Sequence, residues 1–69
     1  MSFASLIAQW PTIAALARET GVPYATVKRW KQRATIPSAH WLAVVAAANR
    51  RGILISVHDL AALSAKRAA

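Results

Sequence analysis

Apolar residues recur at helical spacing in five segments of the chain. The first segment is marked by Phe3, Leu6, Ile7 and Trp10. The pattern breaks at Pro11, which cannot donate a hydrogen bond to a continuing helix, and again at Gly21 and Gly52. We therefore predict five short helices, with a short extended connection after Gly52. The last helix is expected over about residues 56–66, beginning at Ser56, which has the spacing of a capping box with Asp59.

Residues 12–33 have the spacing of two helices that meet at a tight turn. Thr12 is suited to cap the first helix, and Gly21 is suited to end it because glycine adopts a left-handed backbone without a Cβ penalty. Pro23 suits the first position of the second helix, where a missing N–H costs nothing. The sequence predicts a helix-turn-helix pair, with the second helix over about residues 23–33.

The second helix of this pair separates an apolar side from a polar side. At about 100° per residue, the apolar side carries Pro23, Val27, Trp30 and Ala34. The opposite side carries Ala25, Lys28, Arg29 and Gln32, and the flanks carry Tyr24, Thr26, Lys31 and Arg33. A helix lying in the major groove of DNA meets base edges with its outer side and phosphates with its flanks. The pattern is typical of a DNA-reading helix.

The charge balance indicates the same kind of partner. The 69 residues include nine Lys and Arg against two acidic residues, a formal net charge of +7. Four of these cations fall close together on the second helix without an intervening acid, at Lys28, Arg29, Lys31 and Arg33. A solvated helix face is the alternative interpretation of such a run. Because the run coincides with the helix-turn-helix pattern, we expect a polyanionic partner.

The same residues carry a resemblance to a known family. They are Ala17, Gly21, Val22, Val27 and Trp30, followed by the basic loop Lys31–Pro37, which ends in Ile-Pro before another apolar helix. Over about residues 10–60 the chain resembles the lambda-repressor-like, Cro/C1-type helix-turn-helix proteins, most closely the small Cro/YdaS-like regulators of prophages and prophage-derived elements. The resemblance implies an all-α fold, a compact bundle of about five short helices with a central helix-turn-helix pair.

The resemblance also implies roles for individual residues. Family members touch base edges at the positions of Tyr24, Ala25, Lys28 and Arg29. From the helix pattern we add Gln32 as a base contact, and as phosphate contacts Thr26, Lys31 and Arg33. The chain departs from the family at Ile13, where many members have a phosphate-binding Gln. That contact is either absent here or passes to Thr12 and nearby backbone amides.

Tyr24 and His40 each allow two interpretations. Tyr24 either contacts DNA or packs with a solvated hydroxyl. The backbone amides of Ser38, Ala39 and His40, which follow Pro37 at a helix start, form an anion site suited to a phosphate. We therefore expect phosphate contacts at Ser38 and His40, although His40 can equally be a plain surface histidine. The three tryptophans all fit apolar stripes and are expected in the core.

Size and composition limit the remaining functions. Residues 1–69 are expected to form one domain, and the chain has no cysteine for a disulfide or a thiolate metal site. The longest apolar run, Trp41–Ala48, is far shorter than a membrane span, and the N-terminus lacks the pattern of a secretory signal. We expect a cytoplasmic protein with no membrane partner, associated with the nucleoid through DNA.

Catalysis has little support in this sequence. The only acidic residues, Glu19 and Asp59, fall in different predicted helices without a neighbouring Cys or paired His. We expect no enzymatic activity, no metal, no cofactor and, because the chain is short, no small-molecule effector. The expected partner is double-stranded DNA. The expected action is repression of phage-derived or gene-transfer-agent genes, by occupying a promoter and excluding polymerase.

One reading helix contacts only a few base pairs, so specificity usually requires two units on adjacent half-sites. We expect a homodimer, or paired binding that forms only on DNA. Four apolar residues near the C-terminus either form the contact between protomers or close the core of one protomer: Ile53, Ile55, Leu60 and Leu63. The alternative function is a small protein-interaction module, such as an antitoxin or antirepressor, that uses an apolar surface instead of the basic helix.

Overall fold

The helices occur in the order predicted from the apolar pattern. The computed structural model describes the backbone of residues 1–68 and the side chains of residues 1–66. Its α-helices are α1 (Phe3–Ile7), α2 (Ile13–Thr20), α3 (Tyr24–Arg33), α4 (Trp41–Arg50) and α5 (Val57–Ala68). A short 3₁₀ turn, Ser38–His40, leads directly into α4. No strand occurs in the described residues, and the predicted all-α bundle of five short helices is confirmed.

Each helix contributes one of the five largest fully buried side chains to a shared core. In the order of the helices, these are Leu6, Leu16, Val27, Val44 and Leu60. α2 packs against α3 and α4, and α4 packs against α5. A chain of this length buries only about 60% of its unfolded surface, so a few residues carry most of the apolar stabilisation. This core holds α3 in place through its inner side.

Three helices are followed by a residue with left-handed backbone conformation, that is, with a positive φ. After α2 and α4 the left-handed residue is a glycine, Gly21 with φ 73° and Gly52 with φ 82°. After α3 it is Ala34 with φ 52°, and the next amide, that of Thr35, donates to the Trp30 carbonyl at 3.1 Å. A Cβ in this conformation crowds the following carbonyl oxygen. Ala34 is therefore a strained residue in a position that favours glycine.

Replacing Ala34 by glycine is expected to stabilise the fold. The substitution removes the Cβ crowding and keeps the left-handed turn, so the free energy of unfolding should rise by about 0.5–1 kcal/mol. Ala46→Gly, at an exposed position within α4, is the matched control and should lower it by about 1 kcal/mol. Urea titration followed by circular dichroism measures both. A less stable Ala34→Gly protein would show that packing of the methyl group outweighs the backbone strain.

Two helix starts are capped as the sequence predicts. At α2, the Thr12 Oγ1 accepts the N–H of Ala15 at 3.0 Å. At α5, the Ser56 N–H donates to Asp59 Oδ2 at 2.8 Å, and the Asp59 N–H donates to Ser56 Oγ at 3.3 Å. These side chains satisfy N–H groups that the first turn of a helix leaves without a helical partner. Both caps are confirmed.

Three details beside prolines differ from the expectation. Pro23 is the residue before α3 rather than its first residue, and it is exposed rather than part of the apolar side. Trp10 lies beyond the end of α1, next to Pro11, although its side chain is buried. After Pro37 the chain forms a 3₁₀ turn, so the regular α4 begins only at Trp41. Proline lacks the N–H that a hydrogen-bonded turn needs, and it disfavours helical backbone in the preceding residue. The regular helices therefore end before, or begin after, these prolines.

The four apolar residues near the C-terminus close the core of one protomer. Ile55 and Leu60 are buried, and Ile53 and Leu63 are partly buried against the same core. These positions agree with the interpretation that the four residues close the core of one protomer. Leu54 lies between them in sequence but is 91% exposed.

Candidate nucleic-acid interface

α3 is held by its inner side and presents its outer side to solvent. Val27 is fully buried, and Trp30 is 2% exposed. The five residues predicted to contact bases are all exposed: Tyr24, Ala25, Lys28, Arg29 and Gln32. Tyr24 is 53% exposed, so a large part of its ring faces solvent. The structure therefore brings all five onto the solvent-facing part of one helix.

The residues predicted to contact phosphates are all at least partly open to solvent. Four of them are exposed, namely Thr12, Lys31, Arg33 and Ser38, and two are half-buried, namely Thr26 and His40. Thr12 Oγ1 already accepts the amide of Ala15, but a hydroxyl can donate its proton at the same time. Capping α2 and donating to a phosphate are therefore compatible roles for Thr12.

The backbone after Pro37 differs from the predicted anion site. The His40 N–H donates to the Pro37 carbonyl at 3.0 Å, so it is not free to hold an anion. This bond follows from the 3₁₀ turn, whose amides reach back three residues. The His40 ring instead lies against the Trp30 indole, with ring centroids 5.2 Å apart and an angle of 47° between the rings. The prediction of a site made of three free amides is wrong.

A small cleft lies between α3 and the loop that follows it. Its volume is about 140 Å³, and its walls are Thr26, Arg29, Trp30, Arg33, Thr35 and Pro37. Arg29 and Arg33 are one helical turn apart, and guanidinium groups are well suited to phosphate oxygens. Thr35 was not predicted as a site residue from the sequence. Its place in the cleft depends on the left-handed turn at Ala34, which brings the loop beside α3.

Both acidic side chains are engaged in contacts within the fold. Glu19 Oε1 accepts the Trp10 Nε1–H at 3.1 Å and pairs with the Arg51 Nε at 3.3 Å. The other carboxylate caps α5, as described above. Neither acidic side chain therefore neutralises Lys28 or Arg29 on the outer side of α3. The positive charge that the composition predicts is left concentrated at this surface.

The tryptophans differ in how their indole N–H groups are satisfied. Trp10 and Trp30 are buried, as predicted, whereas Trp41 is only partly buried against the core. The Trp41 Nε1 donates to the Ile36 carbonyl at 2.8 Å. Among the described side chains, Trp30 has a buried Nε1 without a hydrogen-bond partner. Trp30 therefore anchors α3 by packing alone, and it carries the cost of an unsatisfied donor.

Two other kinds of site are absent from the described part of the chain. No group of three or more His, Cys, Asp or Glu side chains there is placed to hold a metal ion. None of its helices has the length and apolar character needed to cross a membrane. The exposed side of α3, with the cleft beside it, is the candidate functional site.

Comparison with protein-family models, with curated proteins and with solved structures finds no match to this chain. Its function is therefore inferred from the geometry and charge of α3 and its surroundings.

Proposed function

We propose that this protein is a transcriptional regulator that binds double-stranded DNA sequence-specifically and inserts α3 into the major groove. The observation that carries the proposal is the two-sided character of α3. Val27 and Trp30 anchor one side in the core, while Lys28 and Arg29 are exposed on the other. The helix has 10 residues, which at a rise of 1.5 Å per residue span about 15 Å. An α-helix with its side chains is about 10–12 Å in diameter, so it fits the major groove, which is about 12 Å wide.

The exposed side chains of α3 have the chemistry needed to read base edges. Arg29 or Lys28 donates to guanine O6 and N7, the pairing that the guanidinium geometry favours. Gln32 or Tyr24 adds a second polar contact. Ala25 is small enough for close approach and touches a thymine methyl group. Because all of these side chains are solvent-facing, none has to leave the core to reach DNA.

The flanks of α3 supply contacts that do not depend on sequence. Lys31, Arg33 and Thr26 contact the sugar-phosphate backbone and set the position of the helix in the groove. The cleft lined by Arg33 and Thr35 is large enough for one phosphate group. Thr12 and Ser38 add hydroxyl donors from neighbouring elements, and the half-buried His40 contributes its ring edge. These contacts position the protein, and the outer side of α3 provides the specificity.

The proposed action is repression by occupancy of a promoter. A protein seated in the major groove there excludes polymerase without needing a catalytic group or an effector. The resemblance to prophage regulators favours phage-derived or gene-transfer-agent genes as targets, in the cytoplasm. Two units on adjacent half-sites, as a homodimer or paired only on DNA, extend the sequence that is read.

Salt dependence and sequence selection test this proposal together. Duplexes selected from a random pool are expected to share a common motif. If each of the four cations of α3 neutralises one phosphate, log K should fall with log salt with a slope of about −4. Fluorescence anisotropy at several salt concentrations measures the slope, and a scrambled duplex of the same length is the control.

The alternative of a protein-interaction module predicts a different result. In that case no duplex is enriched, and substitution of Lys28 and Arg29 leaves the cellular activity unchanged. An enriched motif together with a steep salt slope supports DNA reading. A steep slope with no enriched motif would indicate only non-specific attraction to polyanions and would overturn the proposal of a sequence-specific regulator.

A further inference from the structure

A second groove lies on the other side of α3, between α1 and the start of α2. Its volume is about 280 Å³, twice that of the cleft next to the α3–α4 loop. Most of its lining is apolar, from Ala4, Ile7, Ala8, Trp10, Pro11 and Ile13. Thr12 and Lys31 supply the polar part of the lining. Apolar walls with few polar groups are typical of small-molecule sites.

Lys31 gives the groove a preference for negatively charged ligands. It is exposed and is the only charged residue in the lining. The two acidic side chains of the chain are engaged elsewhere, Glu19 with Arg51 and Asp59 in the cap of α5. A ligand with one negative end can therefore pair with the Lys31 ammonium without displacing an existing carboxylate.

We propose that this groove binds a small amphipathic carboxylate. Its apolar chain lies against Ile7, Pro11 and Ile13, and its carboxylate pairs with Lys31. The volume is just below the range of about 300–1,000 Å³ found for small-molecule pockets, which limits the occupant to a short acyl or aryl acid. Ala4 and Ala8 are exposed, so the groove is open to ligands from solvent without movement of a helix.

Occupancy of this groove opposes DNA binding, and this part of the inference rests on the proposed function. Lys31 belongs to α3, where it is proposed to contact a phosphate. A carboxylate paired with Lys31 neutralises that charge and competes with the phosphate for the same ammonium. The ammonium of Lys31 can pair with either the ligand carboxylate or a DNA phosphate. The ligand therefore inhibits DNA binding.

Octanoate titration of the full chain without DNA tests the binding site directly. In ¹H–¹⁵N spectra, shifts are expected at the amides of Ile7, Ala8 and Ile13 and at the Trp10 indole N–H, with a Kd of about 1 mM or tighter. Octanol, which has the same chain without the charge, should bind more weakly. Absence of shifts at these positions, or equal affinity for octanol, overturns the proposal.

Two substitutions with matched controls separate the apolar and charged parts of the site. Ala8→Leu fills the groove and should weaken octanoate binding more than about tenfold. Gln9→Leu adds the same side chain one residue away, outside the lining, and should leave binding unchanged. Lys31→Gln should weaken it about threefold, as expected for an exposed ion pair, whereas Lys66→Gln should not.

The outcomes distinguish this proposal from the proposed function. Octanoate binding that disappears in Ala8→Leu supports the groove site even if no duplex is ever selected. Binding that survives Ala8→Leu overturns it even if the DNA measurements succeed. Shifts of the groove residues with a short acidic, leucine-containing peptide but not with octanoate would also overturn it, and would indicate a protein partner instead.

Discussion

Trp30→Ala is expected to lower the free energy of unfolding by about 3–5 kcal/mol, whereas Trp30→Phe should lower it much less. Trp30 is 2% exposed and anchors the inner side of α3. Truncating a buried Trp to Ala costs about 3–5 kcal/mol. At about 0.05–0.15 kcal/mol per residue, a chain of this length has only roughly 3–10 kcal/mol of stability in total. The alanine variant therefore loses a large part of it.

The phenylalanine variant should be milder for a specific reason. The Trp30 Nε1 is buried without an acceptor, and an unsatisfied buried donor costs about 1–3 kcal/mol. Phenylalanine removes this donor while keeping an aromatic ring against His40. The gain offsets part of the packing that the smaller ring loses, so the net loss should stay below about 1.5 kcal/mol.

Urea denaturation followed by circular dichroism measures both Trp30 variants. Tyr24→Ala is the control, because Tyr24 is on the same helix but is 53% exposed, and its midpoint should remain close to that of the unmodified chain. A loss well above about 1.5 kcal/mol for Trp30→Phe would show that the indole N–H is satisfied in solution. An unchanged midpoint for Trp30→Ala would show that α3 is not anchored by this side chain.

Arg29→Ala should reduce affinity for the selected duplex and barely change affinity for a scrambled one. A lost bidentate contact to guanine costs about 1–3 kcal/mol, which corresponds to roughly fivefold to 150-fold weaker binding. Arg29 is exposed, so the substitution leaves the core intact. Lys31→Ala, on the flank of the same helix, is the matched comparison. It should weaken both duplexes equally and flatten the salt slope by about one unit.

Anisotropy titrations of both variants against both duplexes measure these four affinities. If Arg29→Ala weakens the two duplexes equally, Arg29 contacts phosphate rather than a base. Arg29 also lines the cleft with Arg33 and Thr35, where a phosphate group is proposed to bind. Conversely, a loss confined to the selected duplex in Lys31→Ala would assign base reading to Lys31.

The amino-acid sequence alone determined the features that depend on neighbouring residues. Gly21 ends α2 with a left-handed backbone, Thr12 caps its start, and Ser56 with Asp59 caps α5. Each is a local interaction within one turn of chain, so spacing and residue type are sufficient to predict it. The burial of one side of α3 also followed from its helical period, because burial alternates with that period.

Only the tertiary structure decided the features that join distant parts of the chain. Glu19 accepts a hydrogen bond from Trp10 and pairs with Arg51. The groove beside Lys31 is formed where three elements meet, namely α1, the start of α2 with the turn before it, and α3. The sequence predicted no space for a small molecule, since spacing along one helix does not reveal what surrounds it. Nor did the sequence reveal that Ile53 packs against the core of its own protomer. Such contacts depend on how the helices pack against one another, and local periodicity carries no information about that packing.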